Sequence, residues 1–347
     1  MPGDGIGPEI VRAATAVMDA AARRHGAALR FDHLPVGEAA VATHGSTLPP
    51  GTLERLTGYD ASLLGPVSHA TYPEDDPRYP NPSGTLRSRL ELHANVRPVR
   101  SYPGRSLTGV PVDLVIVRES TQGFYADRNL LDSNGELRPD RDTVLSVRVV
   151  TRRACERVAR HAFALARTRR GRVTAVHKAN VLRRGDGLFL DACDAVAREH
   201  PDVELDDRHV DAFALELLQD PARVDVVVTT NMFGDILSNE AAGLAGGLGL
   251  APGLNVGDGH AMAQAAHGSA PDLAAARAGN PVAEILSGAL LLRWLAGRRA
   301  MPELAAAAAS VELAVEEVVT RGCTLTPDLG GSATTAQVAD AVLAALA

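Results

Sequence analysis

The stretch VDVVVTTNMFGDILSNEAAGL (224–244) sets the architecture. Its first half is a short β-branched run that reads as a buried strand; after a turn at Gly234 the pattern becomes helical. A strand followed directly by a helix is the building unit of an α/β sheet with parallel strands. Two runs of the same kind lie upstream, VDLVIVRE (112–119) and RVTAVHKAN (172–180). In open α/β sheets ligands sit at the carboxyl ends of strands, so Arg118, Lys178 and Asn231 fall where a site is expected. The plainer alternative is that each marks a strand leaving the core. Further out, PEIVRAATAVMDAAARR (8–24) begins with Pro8 in a favourable first-turn position and sets Ile10, Ala14, Val17, Met18 and Ala21 on one face. NPVAEILSGALLLRWLA (280–296) offers Asn280 as N-cap with Pro281 at the first helical position, and the last stretch reads as two Ala-rich helices. The polar segment 126–148 suits a flap, an arm clasping a second subunit, or a surface excursion.

The 347 residues carry 35 basic and 42 acidic side chains, a net charge of −7. Thirty-four of the basic residues are arginine and one is lysine, Lys178. A coding bias can replace surface Lys with Arg at little cost, but not where a proton must leave, because a guanidinium stays charged. Lys178 is therefore a candidate general base, against the alternative of chance survival. The length suits two domains with an ample core, at 46% hydrophobic residues. Acidic balance and 3% aromatic content argue against a nucleic-acid partner. No apolar run spans a membrane, no signal peptide opens the chain, and Cys155, Cys193 and Cys323 form no disulfide or metal pattern, so a cytoplasmic protein is expected.

GDGIGPE (3–9) is not a dinucleotide fingerprint, because Pro8 replaces the third glycine and no strand precedes it. Asp235 and Asn239 stand four residues apart on one helix face, with Asp211 after VELDDRHV as a third oxygen donor. Mg²⁺ or Mn²⁺ would take such ligands and leave positions open for substrate. N-capping by Asp235 with a solvated Asn239 explains the segment equally well. Arg87, Arg97 and Arg118 beside apolar sequence suit a substrate with two or more carboxylates. In HGSAPDLAAARAGNP (267–281) small residues allow close approach to the backbone. Asp272 there would accept from a ribose 2′-hydroxyl and disfavour a 2′-phosphate, or would serve as a helix cap.

Taken together, PGDGIGPE, LRSRLELHANVRP, VIVRESTQGFY, HKANVL, NMFGDILSNEAAG, HGSAPD with its following NP, and PDLGGSA resemble, in order, the β-decarboxylating isocitrate/isopropylmalate dehydrogenase family. The resemblance implies a non-Rossmann, two-domain α/β fold with parallel or mixed sheets flanked by helices. Residues 1–92 plus 246–347 would form a large cofactor-binding domain, and 93–245 a smaller domain with the dimer interface and arm. It further implies a homodimer with shared active sites, NAD, and Mg²⁺ or Mn²⁺. Arg87, Arg97 and Arg118 would hold the carboxylates of a 2-hydroxy acid, and Asp235 (with Asn239) and the partner's Asp211 the ion. Tyr125, with Lys178 and Asn180 of the partner chain, would complete the catalytic group. His267, Gly268, Ser269, Ala270, Asp272 and Asn280 would line the cofactor.

Four departures bear on function. Asn239 stands where the family has an Asp, Gln264 where it has a Glu, and the chain opens on the Gly-rich turn without the first strand, which suggests a shortened start. In PNPSGTLR (80–87), Asn81 and Ser83 replace an apolar pair, which favours a polar or anionic 3-substituent such as a tricarboxylate or phosphonate. The expected reaction is NAD-dependent oxidative decarboxylation of a 3-substituted malate. Alternatives are a catalytically weak regulatory paralogue and a malate- or tartrate-type dehydrogenase.

Overall fold

A computed structural model describes residues 1–73, 76–125 and 135–346. The three expected strands form, each shorter than the run that predicted it. In chain order the strands are β1 (Ser62–Leu63), β2 (Ala94–Arg100), β3 (Asp113–Glu119), β4 (Glu136–Asp140), β5 (Thr143–Ser146), β6 (Arg172–His177), β7 (Glu204–His209), β8 (Val226–Thr229), β9 (Leu254–Val256) and β10 (Ala261–Ala263). Eight of them make one sheet in the order β1-β10-β9-β2-β3-β8-β6-β7. The run β3, β8, β6, β7 is parallel throughout, whereas β10, β9, β2 and β3 alternate. The sheet is thus mixed, and the parallel block is the part whose strands end on Glu119, one residue past Arg118, and on Thr229, His177 and His209.

Helices cover both faces. The helix Gly7–Arg24 buries the predicted face, Ile10, Ala14, Val17, Met18 and Ala21, against the helices Val282–Arg299, Pro302–Arg321 and Thr335–Leu346. On the other face of the parallel block, Ile116, Val176 and Val227 pack with Phe213, Leu217 and Leu237. Burying a large aliphatic or aromatic side chain contributes about 1.5–3 kcal/mol, so these two layers outweigh any single polar contact in holding the sheet.

Local geometry corrects two expectations and adds detail to two others. The helix after β8 begins at Asn231, with Thr230 as N-cap, so Gly234 lies in its first turn and Asp235 is no cap. A Cβ at Gly234 would stand 2.6 Å from Cβ of Arg118, so the glycine is there for packing. The helix expected from Pro281 starts at Val282, and Asn280 accepts the Val282 N–H through Oδ1 at 3.0 Å. The GDGIG turn is a packing device: Gly3 and Gly5 have positive φ, and Cβ atoms there would collide with the carbonyls of Pro66 and Ser269. Finally, the polar 126–148 segment contains an exposed hairpin, β4–β5; its residues 126–134 lie outside those described. Met1 forms one parallel rung beside β1, donating to Leu63 O and accepting from Gly65 N–H.

Glu284 is fully buried in the helix Val282–Arg299, where its Oε2 accepts the Ala265 N–H at 2.8 Å. Burial pushes its carboxyl up to about 8. An unfolded glutamate loses its proton near pH 4.5. Between those values the native state binds a proton the unfolded chain releases, so stability contributed by this group falls as pH rises. Glu284→Gln keeps an acceptor oxygen and removes that dependence. The variant's stability should exceed that of wild type by a gap that widens from pH 5 to pH 8, reaching on the order of a few kcal/mol. A gap that stays flat across that range in calorimetry would contradict the assignment.

Candidate active site in two halves

The first half-site is built where β2, β3 and the helix Asn231–Ala245 converge. Arg97 projects from β2 and is 5% exposed; Arg118, next to the end of β3, is 2% exposed. Both guanidiniums reach the Asp235 carboxylate, Arg97 at 3.2 Å and Arg118 in closer contact. Arg97 also donates to Asn95 Oδ1 at 2.7 Å and Ser238 Oγ at 2.6 Å, while Arg118 donates twice to Asn231 Oδ1 at 2.8 and 2.6 Å. Each guanidinium is therefore oriented by neutral acceptors as well as by Asp235. Burial, reinforced by the neighbouring Arg118 charge, pulls the Arg97 pKa down to about 10, which leaves it charged at neutral pH. Burial works against ionisation of Asp235, but Arg118, Arg97 and Arg87 outweigh it and hold the carboxyl below its usual range. The Tyr125 hydroxyl donates to Asp235 Oδ2 at 3.2 Å, and its ring lies under the Arg118 guanidinium at 5.5 Å.

Arg87 extends this half-site from the helix Pro82–Arg89. Its NH2 donates to Gln264 Oε1 at 3.1 Å, and Ser83 Oγ donates to the same oxygen at 2.8 Å. The Asn81 side chain accepts the Gly84 N–H at 3.1 Å, so one of its polar atoms is spent as helix cap. Position 264 is thus tied to both the carboxylate clamp and the polar pocket residue. Its amide carries no charge to offset Arg87.

The second half-site sits at the other side of the parallel block. Lys178 follows β6, and its Nζ donates to Asp211 Oδ1 at 2.5 Å. Asp211 lies in the first turn of the helix Val210–Gln219, exposed, its carboxyl held low chiefly by the Lys178 hydrogen bond. Asn180 is exposed on the turn after Lys178. Asn239 is exposed one turn beyond Asp235. Among the described residues no three His, Cys, Asp or Glu side chains gather as a metal cluster. Different charged groups act on the two carboxylates, Arg118, Arg97 and Arg87 on Asp235 and Lys178 and His209 on Asp211.

The residues proposed for the cofactor form a separate loop. His267 Nδ1 bonds to Gly268 O at 2.9 Å, while its Nε2 is buried without a partner, and burial lowers its pKa. Ser269 Oγ shares a hydrogen bond with Ser68 Oγ at 2.7 Å. Ala270 takes a left-handed conformation, which starts the short helix Pro271–Ala276 with Asp272 exposed in its first turn. Asn280 Nδ2 donates to Asp328 Oδ2 at 2.9 Å, joining the NP and PDLGG motifs. Sequence reasoning had no signal for Asn95, Ser238 or Asp186, whose roles arise only from partners distant in the chain.

The sequence model of the isocitrate/isopropylmalate dehydrogenases matches residues 1–342, and the chain belongs to that family of β-decarboxylating hydroxy-acid dehydrogenases. Among its relatives, the 3-isopropylmalate/3-methylmalate dehydrogenase of Methanocaldococcus jannaschii is 41% identical over 345 residues, covering 98% of this chain and 96% of the relative. The isocitrate/homoisocitrate dehydrogenase of Thermus thermophilus is 42% identical over 346 residues, covering 99% and 96%. The crystal structure of isocitrate dehydrogenase from Methylococcus capsulatus superposes with a TM-score of 0.86 at 41% identity, over 99% of this chain and 97% of that one. Among the described residues no helix is long and apolar enough to cross a membrane.

Proposed function

We propose that the protein oxidatively decarboxylates a 3-substituted malate with a polar or anionic 3-substituent to a 2-oxo acid, CO₂ and NADH. The observation that carries this reading is the division of the site. One half holds three arginines, Asp235 and Tyr125; the other holds Lys178 with Asp211. A homodimer that sets one chain's first half against its partner's second half would complete two sites. Such sharing is natural for a twofold interface, where each patch meets the other.

The donor set fits a divalent cation. Asp235 with Asn239, and Asp211 of the partner, would hold Mg²⁺ or Mn²⁺ through hard oxygen ligands. The buried, unpartnered Nε2 of His267 fits a loop that closes on a polar ligand, and Gly268, Ser269, Ala270, Asp272 and Asn280 would hold the adenosine side of NAD. When bound, the cation supplies Lewis acidity at the 2-hydroxyl and charge stabilisation during loss of CO₂, and NAD⁺ supplies the hydride acceptor. The rest falls to the chain. Arg87, Arg97 and Arg118 clamp the substrate carboxylates and orient C2. Lys178 in its uncharged form takes the 2-hydroxyl proton as hydride leaves C2. After decarboxylation Tyr125, already hydrogen-bonded to Asp235, returns a proton to C3. With a divalent cation, three arginines, two aspartates and uncharged Lys178, the site carries a formal +3, which a tricarboxylate balances.

The polar lining from Ser83 through Gln264 to Arg87 supports the choice of substituent. These groups already bond to one another, so what a hydrocarbon would forfeit is solvation of the Arg87 charge, which an anionic substituent would replace. An NADH-formation screen over isocitrate, homoisocitrate, isopropylmalate, malate, tartrate and a phosphonate analogue, with and without Mn²⁺, tests the reading. The acids with an anionic 3-substituent should exceed isopropylmalate in kcat/KM by about 10-fold or more, only with the metal present. A preference for isopropylmalate would overturn the substrate assignment. Silence across the panel from folded dimer would favour a regulatory subunit.

A further inference from the structure

Asp186 lies in the first turn of the helix Gly185–Glu199 and is 0% exposed. Both of its oxygens are engaged. Oδ2 accepts the backbone N–H of Lys178 at 2.6 Å, and Oδ1 pairs with the Arg148 guanidinium, itself largely buried. On its other side, the Lys178 carbonyl accepts from the amides of Val181 and Leu182 at 3.0 and 2.8 Å. The next amide, Ala179 N–H, donates to His177 Nδ1, which assigns the proton to Nε2 facing Asp207. The backbone of the sole lysine is therefore gripped from both sides, and Asp186 is the charged member of that grip.

Arg148 reaches further. Its NH2 lies 3.4 Å from Thr230 Oγ1, and its guanidinium covers the Phe124 ring at 5.7 Å. Thr230 is the N-cap of the helix that presents Asp235, and Phe124 precedes Tyr125. One buried ion pair thus joins the turn bearing Lys178 to the chain bearing Asp235 and Tyr125. Stability alone is a poor reason for it, because desolvating two charges costs about as much as their attraction returns and apolar pairs often replace them without loss. A charged acceptor on a single backbone N–H, in contrast, fixes a position.

We infer that Asp186 is a positioning residue for Lys178: its carboxylate sets the backbone from which the amine reaches substrate, and Arg148 locks that setting to the other half-site. This rests on the reading of Lys178 as proton acceptor. Asp186→Leu combined with Arg148→Met removes both charges together and leaves no unpaired ion. In that variant kcat should fall about 10- to 100-fold while KM for the hydroxy acid stays within about threefold.

A second readout needs no turnover. Because Lys178 is the only lysine, the acylation rate of its peptide by an amine-selective ester, followed by mass spectrometry, reports on that amine alone. It should rise several-fold as the hold on Asp211 loosens. Asp186→Asn with Arg148→Gln restores an acceptor oxygen and should recover most of kcat. A folded Leu/Met variant with wild-type kcat and acylation rate would overturn the inference. Should that pair fail to fold, Asp186→Ala with Arg148→Gln, which also lacks the acceptor oxygen and the buried ion, carries the same two measurements. Full activity of Lys178→Arg would instead sink the proton-acceptor reading, and the acylation comparison would still decide the positioning role.

Discussion

Lys178→Arg should lose about 100- to 10,000-fold in kcat, the usual range for removing a positioned general base, with KM changed only a few-fold. Arginine preserves the charge beside Asp211, so the pair seen at Lys178 Nζ survives in outline and the fold should hold. What disappears is the ability to shed a proton, since the guanidinium does not deprotonate in proteins. The pattern separates roles: a lysine that only neutralised Asp211 would tolerate the change. Steady-state NADH formation with the best substrate of the screen measures it, and a variant that turns over at the full rate would remove Lys178 from the mechanism.

Mixing two inactive variants should restore about a quarter of wild-type activity. The variants are Lys178→Met, which spoils the second half-site, and Asp235→Asn, which spoils the first. Random reassociation makes half of the dimers mixed. In each mixed dimer one site pairs the intact Asp235 of one chain with the intact Lys178 of the other, and the second site carries both lesions. The expectation follows from the geometry, in which Asp235 senses Arg118, Arg97 and Arg87 while Asp211 senses Lys178 and His209. Differently tagged chains verify that heterodimers form. Heterodimers without activity would mean that each chain completes its own site, and the shared arrangement would fall.

Much of the fold was legible because the parallel block is made of short β-branched runs, whose burial leaves few alternatives. Val115–Val117, Val173–Val176 and Val226–Val228 are all strand and, apart from Thr174, nearly inaccessible. The helical face of residues 7–24 was equally clear from its period. Gly234 was misleading for a physical reason. Glycine usually breaks a helix, but here it sits inside one, because Arg118 passes where a Cβ would be. The GDGIG turn, correctly set aside as a dinucleotide fingerprint, has a packing role: its glycines admit neighbouring carbonyls from Pro66 and Ser269.

The candidate site divides along a similar line. Residue type alone marked Lys178, since one lysine among 34 arginines stands out chemically, and the motifs marked the arginines and Asp235. Composition and spacing carried the class of chemistry because proton loss, carboxylate clamping and hard-cation binding each demand particular side chains. Tertiary structure alone decided how those groups are grouped: Arg97 and Arg118 on Asp235, Lys178 on Asp211, and Gln264 between Ser83 and Arg87. It also brought out Asp186, whose partner Arg148 is 38 residues away. A sequence specifies what a side chain can do, but which charges share a low-dielectric pocket depends on strands that meet only after the chain has folded.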